Sequence, residues 1–345
     1  MNKILSFVVP AYNSESCLDA CLSSFVKESV FDKLEVIVVN DGSTDKTPDI
    51  VNEYIGRYGD VFKLINQENK GHGGALNTGI SAASGRFVKV IDADDWVETE
   101  NLERFISLLE DCDADVVLTH YFTRNITTGE VKKWKSYPQR FGVSYTFSQI
   151  MSSWKSFDRS LTFHGITYNL EFYKKYGIKL SEHVFYEDHE YATVPCCLAR
   201  SIVPFDLFIY DYRIGDVTQS VSDENQLKRS SHTHVVIEKL AREYKRLEPV
   251  LDEDGKSYYR MKIQGLILSY LVTVLLVQRD KKRGREQAKS LMVQFEEEIP
   301  KVYVLAKKQY GAFLKMNYLH ISKKTWDAVL RSRIYNRLRG NHSFD

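Results

Sequence analysis

The chain has 345 residues, 43% hydrophobic and 27% charged, with a net charge of +1. This length can bury a sizeable core in one large domain or two moderate ones, and the sequence shows no low-complexity run and no internal repeat. Five cysteines (Cys17, Cys21, Cys112, Cys196 and Cys197) without CxxC spacing argue for free thiols in a reducing compartment and against a zinc site. The apolar run at the N-terminus ends at Pro10 and Asn13, too abruptly for a signal peptide, so a cytoplasmic protein is expected.

In chain order, the first 120 residues alternate strand and helix signals. Strands are expected at Leu5–Val9, Leu34–Val39, Val61–Ile65, Arg86–Ile91 and Asp115–Thr119. Helices are expected at Glu15–Lys27, Asp45–Tyr58, Gly74–Ala83 and Leu102–Leu109, with Pro48 in a first turn. Continuous apolar strands with helices between them imply an α/β fold with a mainly parallel sheet covered on both faces. Ligands of such sheets bind at the carboxyl ends of the strands, where Asp41 and Asp92–Asp95 fall.

From Thr123 to Tyr212 the pattern is looser and rich in aromatic residues, which suit core packing and also the apolar faces of sugar rings. Beyond residue 220 the chain reads as helices. Ile263–Val277 is apolar but only 15 residues long, short of the roughly 20 that span a bilayer, and reads as a core helix. Residues 301–345 carry ten Lys or Arg against Asp327 and Asp345. This basic tail suits an anionic membrane surface or a phosphorylated polymer; a helix packed on its own domain or on another subunit of a homo-oligomer fits equally. Nucleic-acid binding is disfavoured, because no recognised module accompanies the basic residues.

Asp92-Ala93-Asp94-Asp95 ends a buried strand. Carboxylates gathered there are costly unless a cation neutralises them, and a divalent ion with a nucleotide diphosphate is the usual arrangement; capping of the next helix is the alternative. Other local features are Val8–Asn13, Asn40-Asp41-Gly42-Ser43, the glycine-rich Asn69–Asn77, Glu187-Asp188, and Tyr210–Arg213 followed by Ser220. In this order and spacing the set resembles the family 2 glycosyltransferases of the GT-A fold, an inverting group that uses nucleotide sugars, over roughly residues 3–222.

The resemblance implies a Rossmann-like, mixed but mainly parallel sheet flanked by helices, with a helical C-terminal extension. It places a catalytic domain at 1–220, of which 1–120 would bind the nucleotide sugar and 121–220 the acceptor, and a helical region at 221–345. It implies transfer of a hexose or N-acetylhexosamine from a UDP-sugar to a hydroxyl of a saccharide, glycan polymer or lipid-linked acceptor, of surface-glycan or teichoic-acid type. Asp41 would accept from the uracil ring, and Pro10, Ala11 and Tyr12 would contact the nucleoside. Asn69, Gly74, Asp92, Ala93 and Asp95 would contact the donor, with Asp92 on the ribose or a metal-bound water. Asp94 would ligate Mn²⁺ or Mg²⁺. Arg213 and Ser220 would grip the pyrophosphate, although Arg213 could instead pair with Asp211 or Asp216. Asp188 would be the base, shielded from water by Val184-Phe185-Tyr186. The glycine-rich stretch lacks the arginine many relatives carry there, and Lys70 or His72 are the substitutes at hand. Two other classes stay open: a nucleotidyltransferase, and a non-catalytic binding or scaffold protein on the same fold. A membrane-surface tail would put the protein at the inner face of the plasma membrane.

Overall fold

A computed structural model describes residues 3–215 and 223–331. The chain divides into two compact units. One holds the described residues up to 215 with Leu247–Tyr259; the other holds 223–246 and the described residues from 260 onward.

Nine strands are present among the described residues of the first unit: β1 Leu5–Ala11, β2 Leu34–Asp41, β3 Phe62–Gln67, β4 Phe87–Val90, β5 Trp96–Val97, β6 Val116–Asn125, β7 Val131–Trp134, β8 Ile166–Asn169 and β9 Ile202–Ile214. They form one sheet in the order β3-β2-β1-β4-β8-β6-β9-β5, with β7 paired to β6. The β3-β2-β1-β4 half is parallel. Its helices are α1 Leu18–Ser23, α2 Thr47–Tyr58, α3 Gly71–Ala82 and α4 Leu102–Glu110. Every residue of β1 and β2 is buried. This explains their continuous Val and Ile content: helices cover both faces, so no face needs to be polar. One face packs Phe7 and Val9 against Leu22, Phe25, Phe105 and Leu109.

Several expectations shift. The fifth strand continues to Asn125, and β8 runs antiparallel to both β4 and β6. The aromatic stretch read as loose supplies β7, β8 and the 13-residue β9. Its strand signal is masked because β9 mixes Pro204, Asp206 and Asp211 with large apolar residues, blurring the alternation that marks a half-buried strand. The first helix is only six residues long, since Ser24, Phe25 and Val26 bond back three residues and tighten the turn. The third helix begins at Gly71, three residues before the expected start.

Further along the chain, the helix Glu253–Val272 runs into a π-helical turn, Thr273–Val277. Carbonyls displaced by that turn find other donors: Leu275 O accepts from Asn317 Nδ2 at 2.7 Å and Leu276 O from Lys281 Nζ at 3.2 Å. By length and composition alone Glu253–Val277 could cross a membrane. Its apolar residues Ile267, Leu271, Val274 and Leu275 are nonetheless fully buried, and Gly265 and Ser269 face outward. In the basic tail, Lys323 pairs with Asp223 at 2.8 Å and Trp326 packs edge-on against Phe313. The remainder of the tail, 332–345, lies outside the described residues, as does Ser220.

Candidate active site

The carboxyl ends of β1 and β2 are stitched into one rim. Asn13 N donates to Ser43 Oγ, Thr44 N to Asn13 Oδ1, Ser14 N to Thr47 Oγ1 and Glu15 N to Asp45 Oδ2, all within 2.8–3.0 Å. Most side chains of the Ser43–Thr47 turn thus scaffold the rim. Pro10 and Ala11 are buried in the sheet and can offer a ligand main chain only, whereas the Tyr12 ring is 54% exposed beside them. Asp41 is buried, with Oδ1 accepting from Gln67 Nε2 at 2.6 Å and Lys70 N at 2.8 Å. Asn69 Nδ2 donates to the Asp41 carbonyl at 3.0 Å, so Asn69 acts here as a brace for Asp41.

Beyond β4, the carboxylate oxygens of Asp92, Asp94 and Asp95 lie within 4.8 Å of one another. Their environments differ. Asp95 is fully buried, accepts from Tyr210 Oη at 2.5 Å and from Arg213 N at 2.7 Å, and anchors this loop to β9. Each of its oxygens thus takes one hydrogen bond within the fold. Burial and the charges of Asp92 and Asp94 push the Asp95 carboxyl far above the usual carboxylate range. Asp94 is exposed, and burial of its oxygens together with the Asp92 charge raises it as well. Burial opposes ionisation of Asp92 too, but the imidazole of His72 outweighs it and holds that carboxyl down. Two acids raised by burial and by the neighbouring Asp92 charge fit a divalent cation, which would relieve both costs. Ala93, between them, is buried.

The glycine-rich stretch Asn69–Asn77 opens α3 and closes on a second segment. Its backbone is packed against the segment 180–188. A Cβ on Gly73 would collide with the Ser181 carbonyl oxygen, one on Gly71 would come within 2.9 Å of His183 N, and one on Gly74 would strike Lys70 Cβ. Only glycine lets the two backbones approach so closely. Asn77 clamps the same segment through both amide atoms, to Leu180 O at 2.9 Å and Leu180 N at 2.8 Å. His183 N donates to Lys70 O at 2.7 Å.

This docking brings Glu187-Asp188 to the aspartate loop. His72 lies between the two, with Nε2 2.8 Å from Asp92 Oδ1 and Nδ1 hydrogen-bonded to buried Glu187. Burial disfavours its charge, but Glu187 and Asp92 together raise the imidazole well above its ordinary range. Glu187 is therefore matched by a cation. Asp188 opens a short helix, Asp188–Thr193, and is half-buried. The His164 and Tyr212 rings, stacked 4.3 Å apart, sense the charges of both Asp92 and Asp188. The expected aromatic shield is only partial, since Phe185 is 42% exposed.

Arg213 leaves Asp211 to Arg124, which bonds it through Nε at 3.1 Å and Nη2 at 2.5 Å. The Arg213 charge acts on Asp94, where it opposes the rise of that carboxyl. Arg124 escaped the sequence reading because it is recruited from a distant strand. Buried Lys89 did too: it donates to His164 O at 2.7 Å and Ile166 O at 3.1 Å, and burial depresses it to about 7. A lysine inside a β-strand of apolar neighbours was the one visible signal.

Residues 6–176 match the family model described as Glycosyl transferase family 2. The putative glycosyltransferase EpsH of Bacillus subtilis is 40% identical over 126 residues, 36% of each chain. The poly(ribitol-phosphate) beta-glucosyltransferase of Bacillus spizizenii is 34% identical over 116 residues, 33% of this chain and 18% of that one. The matches thus span only 36% and 18% of the length of these two curated relatives. Among solved structures, S. aureus TarS 1–349 in complex with UDP-GlcNAc superposes with a TM-score of 0.61 at 19% identity, covering 92% of both chains. At that identity the likeness concerns the fold, and it extends through the helical C-terminal region. Residues 6–176 form a glycosyl transferase family 2 domain, and the chain is built on the GT-A-like fold seen in TarS.

Proposed function

We propose that this protein is an inverting glycosyltransferase that moves a hexose or N-acetylhexosamine from a UDP-sugar to a hydroxyl of a saccharide, glycan polymer or lipid-linked acceptor. The observation that carries this reading is that His72 bonds both Asp92, whose carboxylate oxygens cluster with those of Asp94 and Asp95, and Glu187, the residue before Asp188. One carboxylate group thus stands where a cation would sit, and another stands apart from it as a proton acceptor. A nucleotidyltransferase needs no second acid of this kind, which favours transfer between sugars.

Asp94, with Asp92, would hold Mn²⁺ or Mg²⁺; when bound, the ion supplies charge neutralisation for the departing diphosphate. Exposed Tyr12 would cover the base, and Asp41, with Oδ1 fixed by Gln67 and Lys70, would present Oδ2 to a ring N–H. Arg213 would add a positive charge on the phosphate side of Asp94, with Ser220 nearby in sequence. Asp188 would accept the acceptor hydroxyl proton as that oxygen attacks the anomeric carbon and the C–O bond to the diphosphate breaks. The domain boundary near residue 220 and a cytoplasmic site of action, suited to five free thiols, belong to the same reading.

The test is a nucleotide-release screen over UDP-, GDP- and TDP-sugars with Mn²⁺ or EDTA. UDP-GlcNAc is the first donor to try, since TarS 1–349 was solved with it, and a poly(ribitol-phosphate) chain is a reasonable first acceptor. Metal-dependent release of UDP from one sugar supports the reading. No release from any donor, together with no nucleotide binding by calorimetry, sinks it in favour of a scaffold role.

A further inference from the structure

The contact between α3 and the Glu187-Asp188 segment points to a role for His72 beyond filling space. Both of its ring nitrogens face carboxylates: Nε2 faces Asp92 Oδ1 at 2.8 Å and Nδ1 faces Glu187. Each ring nitrogen therefore ties one of the two carboxylates to α3. Glu187 is 3% exposed and is the residue immediately before Asp188.

The segment it belongs to does not rest in a relaxed conformation. His183 and Tyr186 lie in the left-handed region, with φ of 57° and 75°, and non-glycine residues hold such angles only when their surroundings impose them. The near end of the segment is imposed by Asn77 on Leu180 and by the close approach of Gly71 and Gly73. At the far end, His72 bonds Glu187. The same ring holds Asp92, whose loop carries Asp94.

We infer that His72 is a positioning residue: a strut between the Asp92 and Glu187 carboxylates that fixes the spacing between the donor-side aspartates and Asp188. It touches neither donor nor acceptor in this role. Its consequence for turnover rests on the transferase reading; its consequence for the two loops does not.

The experiment compares the full chain with His72→Ala and with His72→Gln, which keeps most of the volume but can donate to one carboxylate only. Amide hydrogen exchange is followed over 92–95 and 181–190, and kcat and donor KM are measured with the sugar found by nucleotide release. Loss of such a hydrogen bond predicts exchange about ten- to hundred-fold faster in both segments of both variants. It also predicts kcat lower by about ten- to hundred-fold with donor KM changed less than about threefold. The His72 side chain is 35% exposed, so imidazole can reach the space vacated in His72→Ala and should restore part of kcat; a purely structural defect would not respond. Unchanged exchange in 181–190 overturns the strut, whatever the activity. A raised donor KM with kcat intact also overturns it and reassigns His72 to donor binding. Faster exchange in both segments of the variants, in a protein that releases no nucleotide, supports the strut and counts against the transferase reading alone.

Discussion

Two clusters of buried acid in the same sheet show opposite designs. At the amino end, Glu35 is fully buried and completely answered: Lys63 Nζ at 2.6 Å, Ser6 Oγ at 2.5 Å, and the Ser84 and Gly85 amides at 2.7 and 3.2 Å. Burial alone would raise its carboxyl, but those partners pull it down to about 2. At the carboxyl end, Asp94 and Asp95 are pushed up by burial and by neighbouring acids. A saturated acid holds strands together. Acids left to repel one another are tolerated where a ligand completes them. Burial is common to both ends, so the balance of partners separates structure from site.

That contrast can be broken first at Asp188. Asp188→Asn should lower kcat/KM on the order of 10³-fold while leaving nucleotide affinity within a few-fold, since the base acts only in the displacement step; steady-state rates with acceptor and calorimetry with UDP check both. Next is Asp94→Asn, which should cost about 100-fold in turnover and abolish the response to added Mn²⁺. A variant that still responds to metal would move the ion to other ligands.

The opposite end should behave in the opposite sense. Glu35→Gln should leave turnover per folded molecule unchanged but remove about 2 kcal/mol of stability at pH 7, a figure discounted because Lys63 is half exposed. The sign follows from the lowered carboxyl. The unfolded group titrates near 4.5 and the folded one near 2, so its stabilisation is full above 4.5 and is lost as pH falls towards 2. Urea unfolding at pH 7 and pH 3 should show the gap between wild type and variant narrowing. The smallest effect is expected at the rim: Tyr12→Ala should weaken UDP binding by about tenfold, about 1.4 kcal/mol, the scale of one exposed stacking contact.

The first half of the sheet was legible because its strands are buried on both faces and its helices are amphipathic, so periodicity alone marks them. The same reading failed after Thr123, where β9, buried along most of its length, interleaves exposed Asp206 and buried Asp211 with aromatics and where the pairing partners are far apart in sequence. At the site, Asp41, Asp92, Asp94 and Glu187-Asp188 stood out as short local patterns. Their division of labour did not: Asp94 and Asp95 are neighbours in the chain, yet one is exposed and the other is locked to Tyr210 and Arg213.

By itself the sequence determined the alternating α/β half and the residue types gathered at its strand ends, because backbone period and turn chemistry are local properties. Tertiary structure alone decided that the glycines of α3 seat the 180–188 segment, that Arg124 takes Asp211, and that His72 bonds Asp92 and also Glu187, 115 positions further along the chain from His72. Those outcomes depend on which backbones come close enough to exclude a Cβ and on which charges remain unanswered once they have.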